Sequence, residues 1–384
     1  MRSTRLLAVL VCLGWFSSIA TAQAAAKPRA RDLGVPFDGT PGPLNAITDV
    51  TGLEVGHTTL ISGDGAHAVR TGVTVVLPKG KKWEPVFAGW FAGNGYGDLI
   101  GTDWVKEGGT LGGPVAITNT WSVGTVRDAI LAWFDQSLKV RIPWHQPVVG
   151  ETTDGSMNDI AGFHVHQDHV FAALDGARSG AVAEGNVGGG TGMSALGFKG
   201  GIGTASRRVS GAYTLGVLVQ ANFGSRDQLT IAGVPVGREL ANYGRDQAPP
   251  PPVEDGSREG SIIVVVATDA PLLPHQLERL ARRVPMGIAR VGGTAANGSG
   301  DIFIAFSTAN PGAAKQSGGV VQVDMLPNGD ENPFFTATIE ATEEAIVNAL
   351  VAAETMTGLN GRRVVALPHD GLRAALQKYN RLKK

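Results

Sequence analysis

Four successive prolines at residues 249–252 stand inside a charged stretch spanning residues 245–260, and directly behind it comes Ser261-Ile-Ile-Val-Val-Val-Ala-Thr-Asp269. Each proline removes a backbone donor and fixes φ, so the first stretch forms neither a helix interior nor a strand and is expected to be an exposed linker. The run of β-branched residues after it has the pattern of a strand buried on both faces. The change falls at one junction, Gly260-Ser261. Two readings fit these residues: a linker that simply meets a strand, or a peptide bond whose opening would release Ser261 as a new N-terminus anchored in the core.

Arg2 and Arg5 precede an apolar stretch at residues 6–20, which is followed by Ala20-Thr-Ala22-Gln-Ala24. This predicts a signal peptide over residues 1–24 and a periplasmic or secreted protein, because the stretch is too short for a membrane anchor. The single cysteine, Cys12, lies within it, and the bulky Val11 before it argues against lipid attachment. The mature chain would then have no disulfide, no thiolate catalysis and no cysteine metal site. The 384 residues are 43% hydrophobic with a formal charge of -1, which allows a sizeable core and gives no electrostatic bias towards nucleic acid or an acidic membrane.

Strand-like runs occupy residues 72–77, 113–118, 213–220, 261–267 and 301–307, and helical patterns residues 126–134, 274–283 and 338–356. Glu340, Glu343 and Glu344 suit the start of the last helix, and a solvated face accounts for them. The order does not repeat as βαβ, so a layered α+β sandwich is expected rather than a doubly wound sheet.

Common catalytic templates are missing. The chain has no Gly-x-Ser-x-Gly and no Ser-x-x-Lys, and the loose glycine pattern at residues 188–195 has neither a leading strand nor a lysine in phosphate-loop register. In His164-Val-His166-Gln-Asp168-His169, a strand would put His164 and His166 on one face, where they and His169 could hold zinc, with Phe163 and Val165 as the inward alternates. A structural or surface role is the preferred reading, since no acid-rich partner segment is apparent. Asn222 ends an apolar strand, where it either caps a turn before Gly224 or donates to a developing oxyanion. Asn297-Gly-Ser299-Gly-Asp301 is a glycine turn that also offers a hydroxyl and a carboxylate at the mouth of a strand.

Taken together, Pro147-Val-Val-Gly-Glu151-Thr-Thr-Asp154-Gly, Asn158-Asp-Ile-Ala-Gly-Phe-His-Val165, Glu184-Gly-Asn186-Val-Gly-Gly-Gly-Thr-Gly-Met193, Gly216-Val-Leu-Val-Gln-Ala-Asn222 and Gly260-Ser261-Ile-Ile-Val-Val-Val-Ala-Thr-Asp-Ala-Pro271 resemble the DmpA-type aminopeptidases and β-aminopeptidases. These are self-processing N-terminal serine hydrolases, and the resemblance extends over residues 44–367. It implies a four-layer αββα sandwich, one domain cut into an α-chain of residues 25–260, with its linker at 245–260, and a β-chain of residues 261–384. It implies cleavage between Gly260 and Ser261, with Ser261 as nucleophile and its own α-amine, of pKa about 8, as proton carrier.

By the same resemblance Asn222 stabilises the oxyanion, Ser299 lies near the nucleophile, and Asp301 takes a place that is often Glu. Glu151 is a candidate for the substrate ammonium, and no tyrosine is carried over because residues 151–158 contain no aromatic side chain. The implied substrates are short peptides, amino-acid amides or esters with a free amino end. A homotetramer of processed αβ heterodimers and the absence of any metal or organic cofactor are also implied. The competing classes are a zinc hydrolase built on His164, His166 and His169, and a non-catalytic periplasmic ligand-binding protein. An acyltransferase of the ornithine acetyltransferase type would be expected to carry Thr where this chain has Ser261.

Overall fold

In the computed structural model, residues 27–141, 145–244, 260–312 and 319–383 are described. The expected signal peptide at 1–24 and all of the linker except Gly260 lie outside the described residues. In chain order the strands are β1 (Glu54–Ser62), β2 (Val69–Leu77), β3 (Val86–Gly95), β4 (Leu99–Ile100), β5 (Thr110–Leu111), β6 (Val115–Thr118), β7 (Val148–Glu151), β8 (Ser194–Ala195), β9 (Phe198–Lys199), β10 (Gly201–Val209), β11 (Tyr213–Phe223), β12 (Gly260–Thr268) and β13 (Gly300–Ser307). One sheet has the order β1-β2-β6-β7-β4 and the other β10-β11-β12-β13-β3-β5. The pairs β6/β7 and β12/β13 are parallel, and the pairs around them are antiparallel.

The helices are α1 (Thr102–Gly108), α2 (Val123–Gln136), α3 (Gln167–Asp175), α4 (Val236–Glu239), α5 (Pro274–Ala281), α6 (Val284–Arg290), α7 (Asn332–Ala352) and α8 (His369–Lys378). Strand alternation divides the apolar side chains among three interfaces. Ile262, Val264 and Val266 of β12 pack with Leu277 of α5, Ile288 of α6 and Leu350 of α7. Ile263, Val265 and Ala267 turn to the opposite sheet and meet Val76, Ile117 and Val148. On the far side of that sheet, Val73, Val75 and Val149 pack under Ile130 and Trp133 of α2 and Leu174 of α3. Three apolar layers between four tiers make an αββα sandwich, and β12 reads as an unbroken apolar run because both its faces are covered. Helix α7 lies so close to β10 that a Cβ at Gly203 would sit 2.0 Å from the Ala345 carbonyl oxygen.

Three local expectations are corrected. Helix α7 spans Asn332–Ala352 rather than residues 338–356; Pro333 is accepted in its first turn, and Ala353 turns extended. Its glutamates do not form a solvated face. Glu344 is fully buried and receives Arg31 at 2.7 Å and Arg207 at 2.8 Å, while Glu340 meets Arg207 at 3.4 Å and Glu343 meets Arg290 at 2.8 Å. Residues 163–166 form no strand: Phe163 is an exposed residue with φ +49° closing a 3-10 turn, Val165 is buried, and α3 begins at Gln167. Among the described residues, no helix is long and apolar enough to cross a membrane.

Candidate active site

Ser261 is the second residue of β12 and is held between two neighbours, opposite Asn222 of β11 and opposite Gly300 of β13. The side chain is buried, and its Oγ accepts the Gly300 amide at 3.1 Å. Gly260, immediately before it, has φ +59°, a left-handed conformation that a side chain would strain. Alternation along β11 and β12 sends Gln220, Asn222 and Ser261 to the inter-sheet side, towards the end of β7 and the loop that leaves it.

That loop and β8 together fix the Asn222 amide. Its Nδ2 donates to the Thr153 carbonyl at 2.9 Å, and its Oδ1 accepts the Ser194 amide at 2.9 Å. An amide carries two N–H groups, so one remains to meet a negative oxygen beside Ser261. Gln220, two residues back, holds the same loop through Thr152 Oγ1 at 2.9 Å and the end of β6 through the Thr118 carbonyl at 3.1 Å.

Ser299 and Asp301 flank Gly300 and bond to each other, with Ser299 Oγ donating to Asp301 Oδ1 at 2.6 Å. Burial pushes the Asp301 carboxyl above its usual range, and the Ser299 hydroxyl works against that shift. The pair is thus one residue to either side of the backbone that touches Ser261. Asn94 of β3 fastens the turn before it, donating to the carbonyls of Ala296 at 2.8 Å, Asn297 at 3.1 Å and Ser299 at 2.6 Å.

Glu151 ends β7 and is almost wholly enclosed. Its Oε2 accepts Thr120 Oγ1 at 2.5 Å and its Oε1 accepts the Asp98 amide at 3.1 Å. Burial raises its pKa, and the charge of Asp98 adds to that while the two hydrogen bonds oppose it. Two glycines separate this carboxylate from the serine. A Cβ on Gly97 would lie 3.0 Å from Glu151 Oε1 and 3.1 Å from Gly300 Cα, and a Cβ on Gly300 would lie 3.1 Å from Ser261 Oγ. With no side chains there, the two backbones pack directly on each other, which brings the carboxylate and the hydroxyl to either side of the same close contact.

The structure thus joins Ser261, Asn222 and Gly300 directly, sets Ser299–Asp301 one residue away, and brings Glu151 in across the two glycines. Asn94, Thr120, Thr153 and Ser194, which orient these groups, carry no local sequence signal; each acts through a partner distant in the chain. The three histidines weighed as a zinc set do not assemble. His164 Nε2 faces Asp159 at 3.4 Å, and His169 Nδ1 accepts the His166 amide at 3.0 Å, leaving His166, Asp168 and His169 grouped at the start of α3.

Residues 45–364 match the pattern of peptidase family S58. The chain is 54% identical over 379 residues, covering 95% of it and 96% of its relative, to the β-peptidyl aminopeptidase BapA of Sphingosinicella microcystinivorans. In three dimensions it superposes with a TM-score of 0.85 and 47% identity on the L-aminopeptidase D-Ala-esterase/amidase of Ochrobactrum anthropi, covering 93% of this chain and all of that one. That enzyme is described as a prototype of the serine aminopeptidases and a variant of the Ntn-hydrolase fold. A β-aminopeptidase from Burkholderia sp. gives a TM-score of 0.84 at 48% identity, covering 91% of this chain and 99% of that one.

Proposed function

The chain belongs to peptidase family S58, and from that premise we propose an aminopeptidase that opens its own backbone between Gly260 and Ser261 and then uses Ser261 on substrates. It releases N-terminal residues, β-amino acids included, from short peptides, amino-acid amides or esters. The observation that carries this reading is Ser261 at the head of a fully covered strand, with Asn222 beside it and Glu151 on the far side of the Gly97–Gly300 contact.

In the first reaction Ser261 Oγ adds to the Gly260 carbonyl carbon and the C–N bond breaks, leaving an ester that water hydrolyses. The products are a carboxylate at Gly260 and a free α-amine on Ser261. That amine, with a reference pKa of about 8, then takes the proton from its own hydroxyl as Oγ attacks a substrate carbonyl, and returns it to the leaving amine; water then hydrolyses the ester on Oγ, freeing the N-terminal residue as its acid and restoring the hydroxyl. Asn222 meets the developing oxyanion, an interaction worth about 3 kcal/mol in comparable sites. Glu151 holds the substrate ammonium, which confines attack to the first peptide bond. The Ser299–Asp301 pair orients the groups around the Ser261 amine.

Residues 1–24 fit export to the periplasm or beyond, and the family fits a homotetramer of processed αβ heterodimers. The test is intact mass, denaturing electrophoresis and N-terminal sequencing of the purified protein, with turnover of alanyl and β-alanyl amides. Two chains in a roughly two-to-one size ratio are expected, the smaller beginning at Ser261. Ser261→Ala is expected to remain one chain and to be inactive. A single uncut chain that hydrolyses these amides would overturn the mechanism.

A further inference from the structure

Asp154 is a completely buried carboxylate with no cation among the groups that set its ionisation. Burying an acid in this way is costly unless its oxygens are fully hydrogen-bonded. Here they are satisfied by neutral donors: Asn119 Nδ2 reaches Oδ2 at 3.1 Å, Asn158 Nδ2 reaches Oδ1 at 3.1 Å, and the Thr71 hydroxyl adds a third contact.

Each contact leads to a part of the site. Asn119 Oδ1 accepts the amides of Trp121 at 3.1 Å and Ser122 at 3.0 Å, so it shapes the turn from which Thr120 grips Glu151. Thr153, the neighbour of Asp154 in the chain, gives its carbonyl to Asn222. Asn158 Oδ1 takes the Arg70 amide at 2.9 Å, which anchors the assembly to β2. We propose that Asp154 is a positioning residue: through Asn119 and Thr120 on one side and Thr153 on the other, it holds the ammonium-binding Glu151 and the oxyanion-binding Asn222 at a fixed separation. This rests on the function proposed above. An acceptor-only side chain is required, because all three neighbours donate; an amide would turn an N–H towards at least one of them.

The test uses the full-length, self-processed enzyme with a β-alanyl amide substrate. Asp154→Asn is expected to lower kcat/KM about 10- to 100-fold, with KM raised through Glu151 and kcat lowered through Asn222, at a temperature where its melting curve shows the protein folded. Adding Asn119→Asp restores a matched donor and acceptor with their roles exchanged, the new carboxylate at position 119 accepting from the new amide at position 154. The double variant is expected to recover at least about tenfold of the loss. Should Asp154→Asn not accumulate as folded protein, Asn119→Ala takes its place with the same threshold, since it removes one arm and leaves Asn158 and Thr71 on Asp154.

Folded Asp154→Asn or Asn119→Ala with unchanged kcat and KM would overturn the proposal. A lowered melting temperature without a kinetic change, or a double variant no better than the single one, would do the same. Failure of the underlying function is distinguishable, because the unsubstituted enzyme would then show no turnover.

Discussion

Gly260 offers a perturbation that separates self-cleavage from later catalysis. At φ +59° an alanine costs about 1 kcal/mol or more from the backbone alone. Its Cβ would also stand 1.8 Å from the Asn222 carbonyl oxygen and 3.0 Å from Phe223 Cα. An ordinary C···O contact is roughly 3.3 Å, so one of the two strands must yield by more than about 1 Å, breaking the Phe223–Gly260 end of the ladder. Losing that pairing adds about 1 kcal/mol, and a displacement of about 1 Å at a reacting centre can cost about 100-fold on its own. The strain favours opening and the displacement opposes it, so Gly260→Ala is expected to cut itself about 10- to 100-fold more slowly. Once cut, residue 260 is a free carboxyl end and the strain is released, so turnover per cut chain should stay within about threefold of normal. The assay follows intact mass over time in purified protein and normalises activity to the fraction cut. Self-cleavage at the normal rate, or turnover per cut chain that falls in step with cleavage, would refute the reasoning.

Other substitutions probe the remaining groups. Glu151→Gln removes the charge facing the substrate amine and should raise KM for free-amine amides about tenfold or more while self-cleavage, which involves no ammonium, proceeds; steady-state kinetics and electrophoresis read the two separately. Asp301→Glu keeps a carboxylate beside Ser299 and should process and turn over within about tenfold of normal; an uncut, inactive product would show that the shorter acid is integral to this site. Lys199 Nζ is completely buried among the carbonyls of Met193 at 2.5 Å, Gly200 at 3.0 Å and Gly190 at 3.5 Å, and burial, helped by Lys27, lowers its pKa from 10.5 to about 7. The unfolded chain then binds more protons between these values, so this residue makes stability rise as pH increases from about 7 towards 10.5. Urea midpoints at several pH values should show that contribution vanish in Lys199→Met.

The strands around the site were legible because burial on both faces demands uninterrupted β-branched residues, as at Ile262–Val266, and no other element tolerates that composition as well. Helix α7 was legible in its middle but not at its ends: the N-cap Glu331 makes no side-chain cap bond, and Pro333, Phe334 and Phe335 in the first turn blur the helical pattern there. Glu344 looked like a solvated side chain because its partner Arg31 lies 313 residues away in sequence. Ser261, Asn222, Ser299 and Asp301 sit at strand ends, where a strand start, a turn cap and a glycine turn account for them equally well, so the family resemblance rather than the local window singled them out. Thr120, Asn94 and Ser194 owe their roles to contacts with distant segments, and a local window does not contain those partners.

The sheet order β10-β11-β12-β13-β3-β5 has a consequence for what a cut at Gly260-Ser261 can do. The strands after the cut, β12 and β13, occupy the middle of a sheet whose flanks come from before it. Pulling the two pieces apart would mean unzipping both flanking ladders and wetting residues 262–267, which are completely buried. Dilution cannot supply that work. The nick therefore leaves a single cooperative melting unit: a denaturing gel would count two polypeptides where a calorimeter would record one transition, because the apolar layers on both faces of β12 and β13 need residues from both pieces.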